Sequence, residues 1–65
     1  MFIVEYYVKD KKEVVKSFAY QVSVSVPRVG DTVCLDGVFY IVGNAMWVYY
    51  NDNTVRVAIK VYKEV

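Results

Sequence analysis

The chain has no histidine, one cysteine (Cys34), one proline (Pro27), one leucine (Leu35) and three glycines. Each shortage removes a class of explanation. A lone cysteine rules out a disulfide within these 65 residues, and without histidine a structural zinc site lacks its usual ligands. No metal and no other cofactor is expected. There is also no serine-nucleophile motif and no glycine-rich phosphate loop. The carboxylates Glu5, Asp10, Glu13, Asp31, Asp36, Asp52 and Glu64 fall mostly in turn sequences, where aspartate has a structural use. A reacting pair such as Asp31 with Asp36 is conceivable, but a structural use is the expectation. Cys34 has no base to lower its pKa, so it reads as a half-buried, inert thiol. The chain is expected not to be an enzyme.

Charge of one sign is lacking too. Eight basic and seven acidic residues leave a formal charge of +1. A duplex nucleic-acid partner calls for a basic face, and an anionic membrane surface for a polybasic cluster; neither is present. The longest uncharged stretch, Gly37 to Asn51, is too short for a membrane-spanning helix. Met1 leads directly into a strand pattern, so no signal peptide is expected. Together with a single thiol, this gives an expected cytoplasmic location.

Valine occurs sixteen times and aromatic residues eleven times, against three alanines. Branched and aromatic side chains fit a pleated surface and lose rotamer freedom on a helix, so a helical bundle is excluded. One domain of this length buries only roughly 60% of the surface its unfolded chain exposes. With disulfides and metal removed, dense packing or self-association must supply the remaining support.

The alternation has period two almost throughout. Phe2, Val4, Tyr6 and Val8 share one face of the first run. The second run, Val14 to Val26, places Phe18, Tyr20, Val22, Val24 and Val26 inward, with Ser17, Ala19, Gln21, Ser23 and Ser25 opposite. A three-residue loop, Asp10 to Lys12, pairs Val8 with Val14 and Val4 with Phe18; the doublet Val14-Val15 breaks the alternation and leaves room for a bulge. Pro27 ends the second strand, and Arg28 to Asp31 form a turn. Asp36-Gly37 predicts a two-residue hairpin that sets Leu35 opposite Val38 and Val33 opposite Tyr40. Gly43-Asn44 is either a tight turn or a bulge in one long strand. Asn51 to Asn53 form the last turn, pairing Tyr49 with Val55, Trp47 with Val57 and Ala45 with Ile59. All six are apolar or aromatic, so turn length and face parity agree independently. The expected fold is all-β: five to six short antiparallel strands in a meander, residues 1–65 forming one small, partly open barrel.

The outer face from residue 32 onward departs from a solvated sheet. It carries Cys34, Phe39, Ile41, Met46, Val48 and Tyr50 beside Thr54, Arg56, Ala58 and Lys60. The wet face of an antiparallel sheet normally turns polar, and contiguous apolar patches mark interfaces. Three readings remain open: burial under the chain's own first hairpin, packing on another copy, or contact with a different partner. Packing on another copy is preferred, with Phe39, Ile41, Met46 and Val48 as its interface. Aromatic and basic residues on the same outer face, Tyr50 with Arg56, Lys60 and Tyr62, can also stack bases; Tyr7 and Lys9 repeat the pattern.

Val29-Gly30-Asp31-Thr32-Val33 followed by Gly37 resembles the opening of the KOW-type motif of ribosome-associated and transcription-elongation barrels. The chain departs from that motif at Val38-Phe39-Tyr40-Ile41-Val42, where further spaced glycines belong. A broader pattern, Pro27 to Val33, Tyr40-Ile41-Val42 and Trp47-Val48 with the final Val/Ile alternation, resembles small bacteriophage-encoded β proteins, especially those of Bacteroidales phages. It covers about residues 27 to 61 and brings no activity to any residue. That resemblance implies a phage accessory role in the host cytoplasm. The leading expectation is a homo-oligomer that blocks a host protein or sequesters a small signalling nucleotide. Its ligand groups would be Asn44, Asn51, Asn53, Tyr50, Arg56 and Lys60. The alternative is a single-stranded nucleic-acid module using Tyr50, Tyr62, Arg56, Lys60 and Arg28. A third is a structural component of the virion.

Overall fold

A computed structural model describes residues 1–8 and 14–63. Five strands form one sheet: β1 (Phe2–Val8), β2 (Val14–Tyr20), β3 (Thr32–Leu35), β4 (Val38–Tyr49) and β5 (Val55–Lys63). Their spatial order is β2-β1-β5-β4-β3. The sheet curls through 227° into an open half-barrel, so the chain is all-β. β1 pairs antiparallel with β2, β3 with β4 and β4 with β5, but the expected all-antiparallel meander is corrected in two places: β2 and β3, consecutive in the chain, lie at opposite edges of the sheet and do not pair, and β1 lies parallel to β5, from Phe2 opposite Val55 to Val8 opposite Val61. A connection between parallel neighbours must cross over, and strands β2 to β4 with their loops supply it.

The turns fix the registers. Asp36 and Gly37 both take positive φ, 53° and 84°, as a two-residue primed turn requires. Leu35 consequently opposes Val38, and Val33 opposes Tyr40. In the last turn Asp52 Oδ1 accepts from the Thr54 N–H at 3.1 Å, and hydrogen bonding from Thr54, its side chain first and its backbone N–H second, holds the Asp52 carboxyl below its ordinary pKa. Tyr49 opposes Val55, Trp47 opposes Val57 and Ala45 opposes Ile59. Gly43 is a bulge rather than a turn: β4 is continuous, and the register shifts between Val42 and Asn44. The first hairpin pairs Val4 with Phe18 as expected, but a register shift between Tyr6 and Tyr7 sets Val14 opposite Tyr7 rather than Val8. The expected loop at Asp10 to Lys12 lies outside the described residues.

The core fills the inner face. Phe2, Val4, Tyr6, Leu35, Val42, Val57, Ile59 and Val61 are buried, and Val57, Ile59 and Val61 on the central strand β5 are fully so. Burial raises the Tyr6 phenol above its ordinary pKa, with nearby Tyr20 adding to the effect. The second strand stops at Tyr20, not at Val26. Residues 21–31 instead return from the end of β2, one edge of the sheet, to β3 at the other. Val24 and Val26 pack against the core on the way, whereas Val22 is exposed. Alternation gave this segment its half-buried valines, but among the described residues no strand pairs with Val22 to Val26. Its end is pinned to β4: Gly30 N–H donates to Val42 O at 2.8 Å, and Val42 N–H donates to Asp31 O at 2.9 Å.

Candidate functional site

Both faces of the sheet leave large apolar side chains in water at the end where β2 stops. Cross-strand pairing stacks the inner face in rows. Tyr20, Phe2, Val55 and Tyr49 make one row; Phe18, Val4, Val57 and Trp47 make the next. Phe2 meets Trp47 edge to face at 5.7 Å, Tyr6 meets Phe18 the same way at 6.2 Å, and Phe18 stacks on Tyr20 at 6.4 Å. β3 reaches only Val38 to Ile41 of β4, so among the described residues no strand covers the two rows from that side. Trp47 is therefore 43% exposed and Tyr49 72%, although their parity is that of the core.

On the outer face, Phe39 is 57% exposed and Met46 58%, while Ile41 and Val48 are half-buried. These four residues do not form one compact patch. Met46 and Val48 stand opposite Ala58 and Arg56, whereas Ile41 and Phe39 stand opposite Tyr62 and Cys34, on the other side of the Gly43 bulge. Cys34, expected to be half-buried, is an exposed free thiol, because β3 is an edge strand and only Phe39 opposes it.

The expected ligand groups divide into two places. Asn44 and Lys60 face each other across β4 and β5, a pairing that the extra residue at Gly43 creates. They border two adjoining shallow hollows. One, of about 210 Å³, is completed by Gly43, Val61 and Tyr62. The other, of about 250 Å³, is completed by Tyr7, Met46 and Ala58. Small Ala58 makes the depression, with Tyr7, Met46 and Lys60 standing around it. Sequence reasoning placed Tyr7 on the outer face but did not bring it to Lys60, because that neighbourhood arises from the parallel β1–β5 pairing.

Tyr50 and Arg56 form the second place. The Arg56 guanidinium lies over the Tyr50 ring at 5.8 Å. Its Nε is 3.4 Å from Glu5 Oε1, close enough for charge pairing, but it is buried without a hydrogen bond. Glu5 Oε1 accepts instead from the Tyr7 hydroxyl at 3.0 Å. Burial first, and this bond second, raise the Tyr7 phenol above its ordinary pKa. Arg56 and Lys60 are four residues apart on one strand, hence about 13 Å by strand rise. Asn51 and Asn53 belong to the β4–β5 turn, where Asn53 takes the left-handed conformation at φ 66°. Arg28 sits at the turn whose backbone joins Val42, eight residues from Tyr50 along β4, about 25 Å by the same measure. The nucleic-acid candidates therefore do not converge on one surface. Lys9 lies outside the described residues.

Among the described residues, the carboxylates have structural partners. Asp31 Oδ2 accepts from the Arg28 N–H at 2.8 Å, and Asp36 Oδ1 accepts from Lys16 Nζ at 2.8 Å. Among the described residues, no three acidic or cysteine side chains gather closely enough to hold a metal ion, and no helix is long and apolar enough to cross a membrane. Comparison with protein-family models, with curated proteins and with solved structures finds no match to this chain.

Proposed function

We propose that the chain is a non-enzymatic binding protein that works as a homo-oligomer. The observation that carries this reading is the exposure of Met46 on the outer face together with Trp47 and Tyr49 on the inner one. An isolated copy of so short a domain forfeits about 25 cal/mol for every Å² of apolar surface it leaves wet. Association recovers that loss, and dense packing within the single chain does not reach these side chains.

The ligand, in this reading, is held by the outer hollows around Asn44 and Lys60. Lys60 brings a cation, Asn44 an amide, and Tyr7 and Tyr62 aromatic faces, which together suit a small anion carrying a ring, such as a nucleotide. The resemblance of residues 27 to 61 to phage β proteins supports an accessory role directed at a component of the host. A net charge of only +1 and the dispersal of Arg28, Tyr50 and Lys60 disfavour the single-stranded nucleic-acid reading. Native mass spectrometry of protein purified from a bacterial cytoplasm tests the proposal. A mass of two or more chains supports it, and a retained small anion identifies the ligand; a single bare chain at micromolar concentration overturns it.

A further inference from the structure

Among the described residues, the edge of β4 beyond Val42 on the β3 side has no partner. Tyr50 N–H donates to Thr54 O at 2.9 Å, so Tyr50 turns its backbone groups toward β5. Hydrogen bonding alternates along an antiparallel strand, so Val48 and Met46 also face β5, and Ala45, Trp47 and Tyr49 point their N–H and C=O groups away from it. On that far side β3 pairs only with Val38 to Ile41, and the segment before it reaches no further than Val42. Among the described residues, nothing accepts or donates to the outward backbone groups of Ala45, Trp47 and Tyr49.

Such edges are normally blunted with a lysine, a proline or a bulge. Asn44 to Tyr50 contains no charge and no proline. The Gly43 bulge lies just before the free stretch and does not interrupt it. The edge is flanked by apolar side chains on both faces, Trp47 and Tyr49 inside, Met46 and Val48 outside.

We infer that two copies of this chain join edge to edge along Ala45 to Tyr49, antiparallel and centred on Trp47, so that the sheets of both run on as one. This rests on the homo-oligomer reading and names its seam. A second copy is the occupant because the edge is its own complement. A twofold axis at Trp47 sets Trp47 against the partner's Trp47, and Ala45 against the partner's Tyr49. Each of these pairs exchanges two backbone bonds, roughly six in all. No charge meets a like charge anywhere in the seam. A strand from another protein would have to match the same spacing of bulky residues, whereas a copy supplies it by symmetry. Trp47, Tyr49, Met46 and the adjoining backbone would bury about 500 Å² per copy, at the lower end for a specific interface. Phe39 and Ile41 stay outside the seam.

A cross-link reads the register directly. Hydrogen-bonded partners in an antiparallel pair have Cα atoms about 5.5 Å apart, within disulfide range. A Cys34→Ser, Trp47→Cys variant should convert largely to a covalent dimer under mild oxidation, and Cys34→Ser, Phe39→Cys should not. Proline at Tyr49 removes an outward N–H and leaves the bonds to β5 intact. Tyr49→Pro should therefore sediment as a monomer, with unchanged far-ultraviolet circular dichroism, where the wild type dimerises. If the wild type is oligomeric but the Trp47→Cys thiols stay reduced, or if Tyr49→Pro still dimerises, the seam is wrong and the homo-oligomer reading survives. A wild type that is monomeric at every concentration ends both. Should Trp47→Cys fail to fold, the Tyr49→Pro result decides alone.

Discussion

Lys16 Nζ lies 2.8 Å from Asp36 Oδ1, and this contact bridges the two outer strands of the sheet. Lys16 belongs to β2, and Asp36 to the hairpin between β3 and β4. The ion pair therefore spans the open side of the half-barrel, in parallel with the returning segment 21–31. Both side chains are substantially exposed, so water and salt screen the pair. Lys16→Met is expected to cost about 0.2–1 kcal/mol in urea unfolding, a difference that shrinks in 1 M salt. A loss of several kcal/mol would mean that the pair, rather than the segment carrying Val24 and Val26, holds the barrel shut.

Gly37 has φ 84° and no atom within 4 Å of where a Cβ would stand. Any effect of substitution there is conformational, with no steric part. Gly37→Ala should destabilise by about 1–2 kcal/mol, and Gly37→Asn by less, since asparagine tolerates the left-handed region. Thermal unfolding of the two variants separates them. Equal losses would contradict the primed-turn geometry.

Ile59 is fully buried on the central strand. Ile59→Val should cost about 0.5–1.5 kcal/mol and Ile59→Ala about 2–5 kcal/mol, the latter a large share of what so small a domain has. Phe39→Ser, on the outer face and outside the proposed seam, should change stability by less than about 0.5 kcal/mol. Denaturant midpoints on the three variants give the comparison.

The Tyr6 and Tyr7 phenols both have raised folded pKa values. A raised folded pKa means that the stabilising form is the protonated one. Its contribution is complete below the unfolded tyrosine value, about 10, and is lost as pH climbs from there through the folded values. Stability should accordingly fall above about pH 10. Tyr7→Phe should lessen that fall while losing the bond to Glu5 at neutral pH. An alkaline limb identical in Tyr7→Phe and wild type would remove Tyr7 from the account.

What the sequence revealed was local. Asp36-Gly37 and Asn51 to Asn53 fixed three strands, because turn chemistry and face parity act within a few residues and had to agree. Val14-Val15 marked the irregular first hairpin in the same way. The parallel pairing of β1 with β5 left no such mark: two alternating runs more than fifty residues apart carry no turn between them to set a register. That pairing brings Tyr7 to Lys60, so half of the candidate ligand site was hidden with it. Val22, Val24 and Val26 alternate like a strand yet form none, since a strand needs a neighbour and period alone cannot supply one. Trp47 and Tyr49 have core parity and remain exposed because β3 is only four residues long, a fact about the end of another strand.

The free edge of β4 is the claim on which the rest depends, and amide hydrogen exchange reads it residue by residue. At high protein concentration the amides of Ala45, Trp47 and Tyr49 should be protected together, and protection should vanish on dilution below the dimer constant, while Met46 and Val48, bonded to β5, stay protected throughout. If Ala45, Trp47 and Tyr49 exchange freely at every concentration, no second strand lies along that edge.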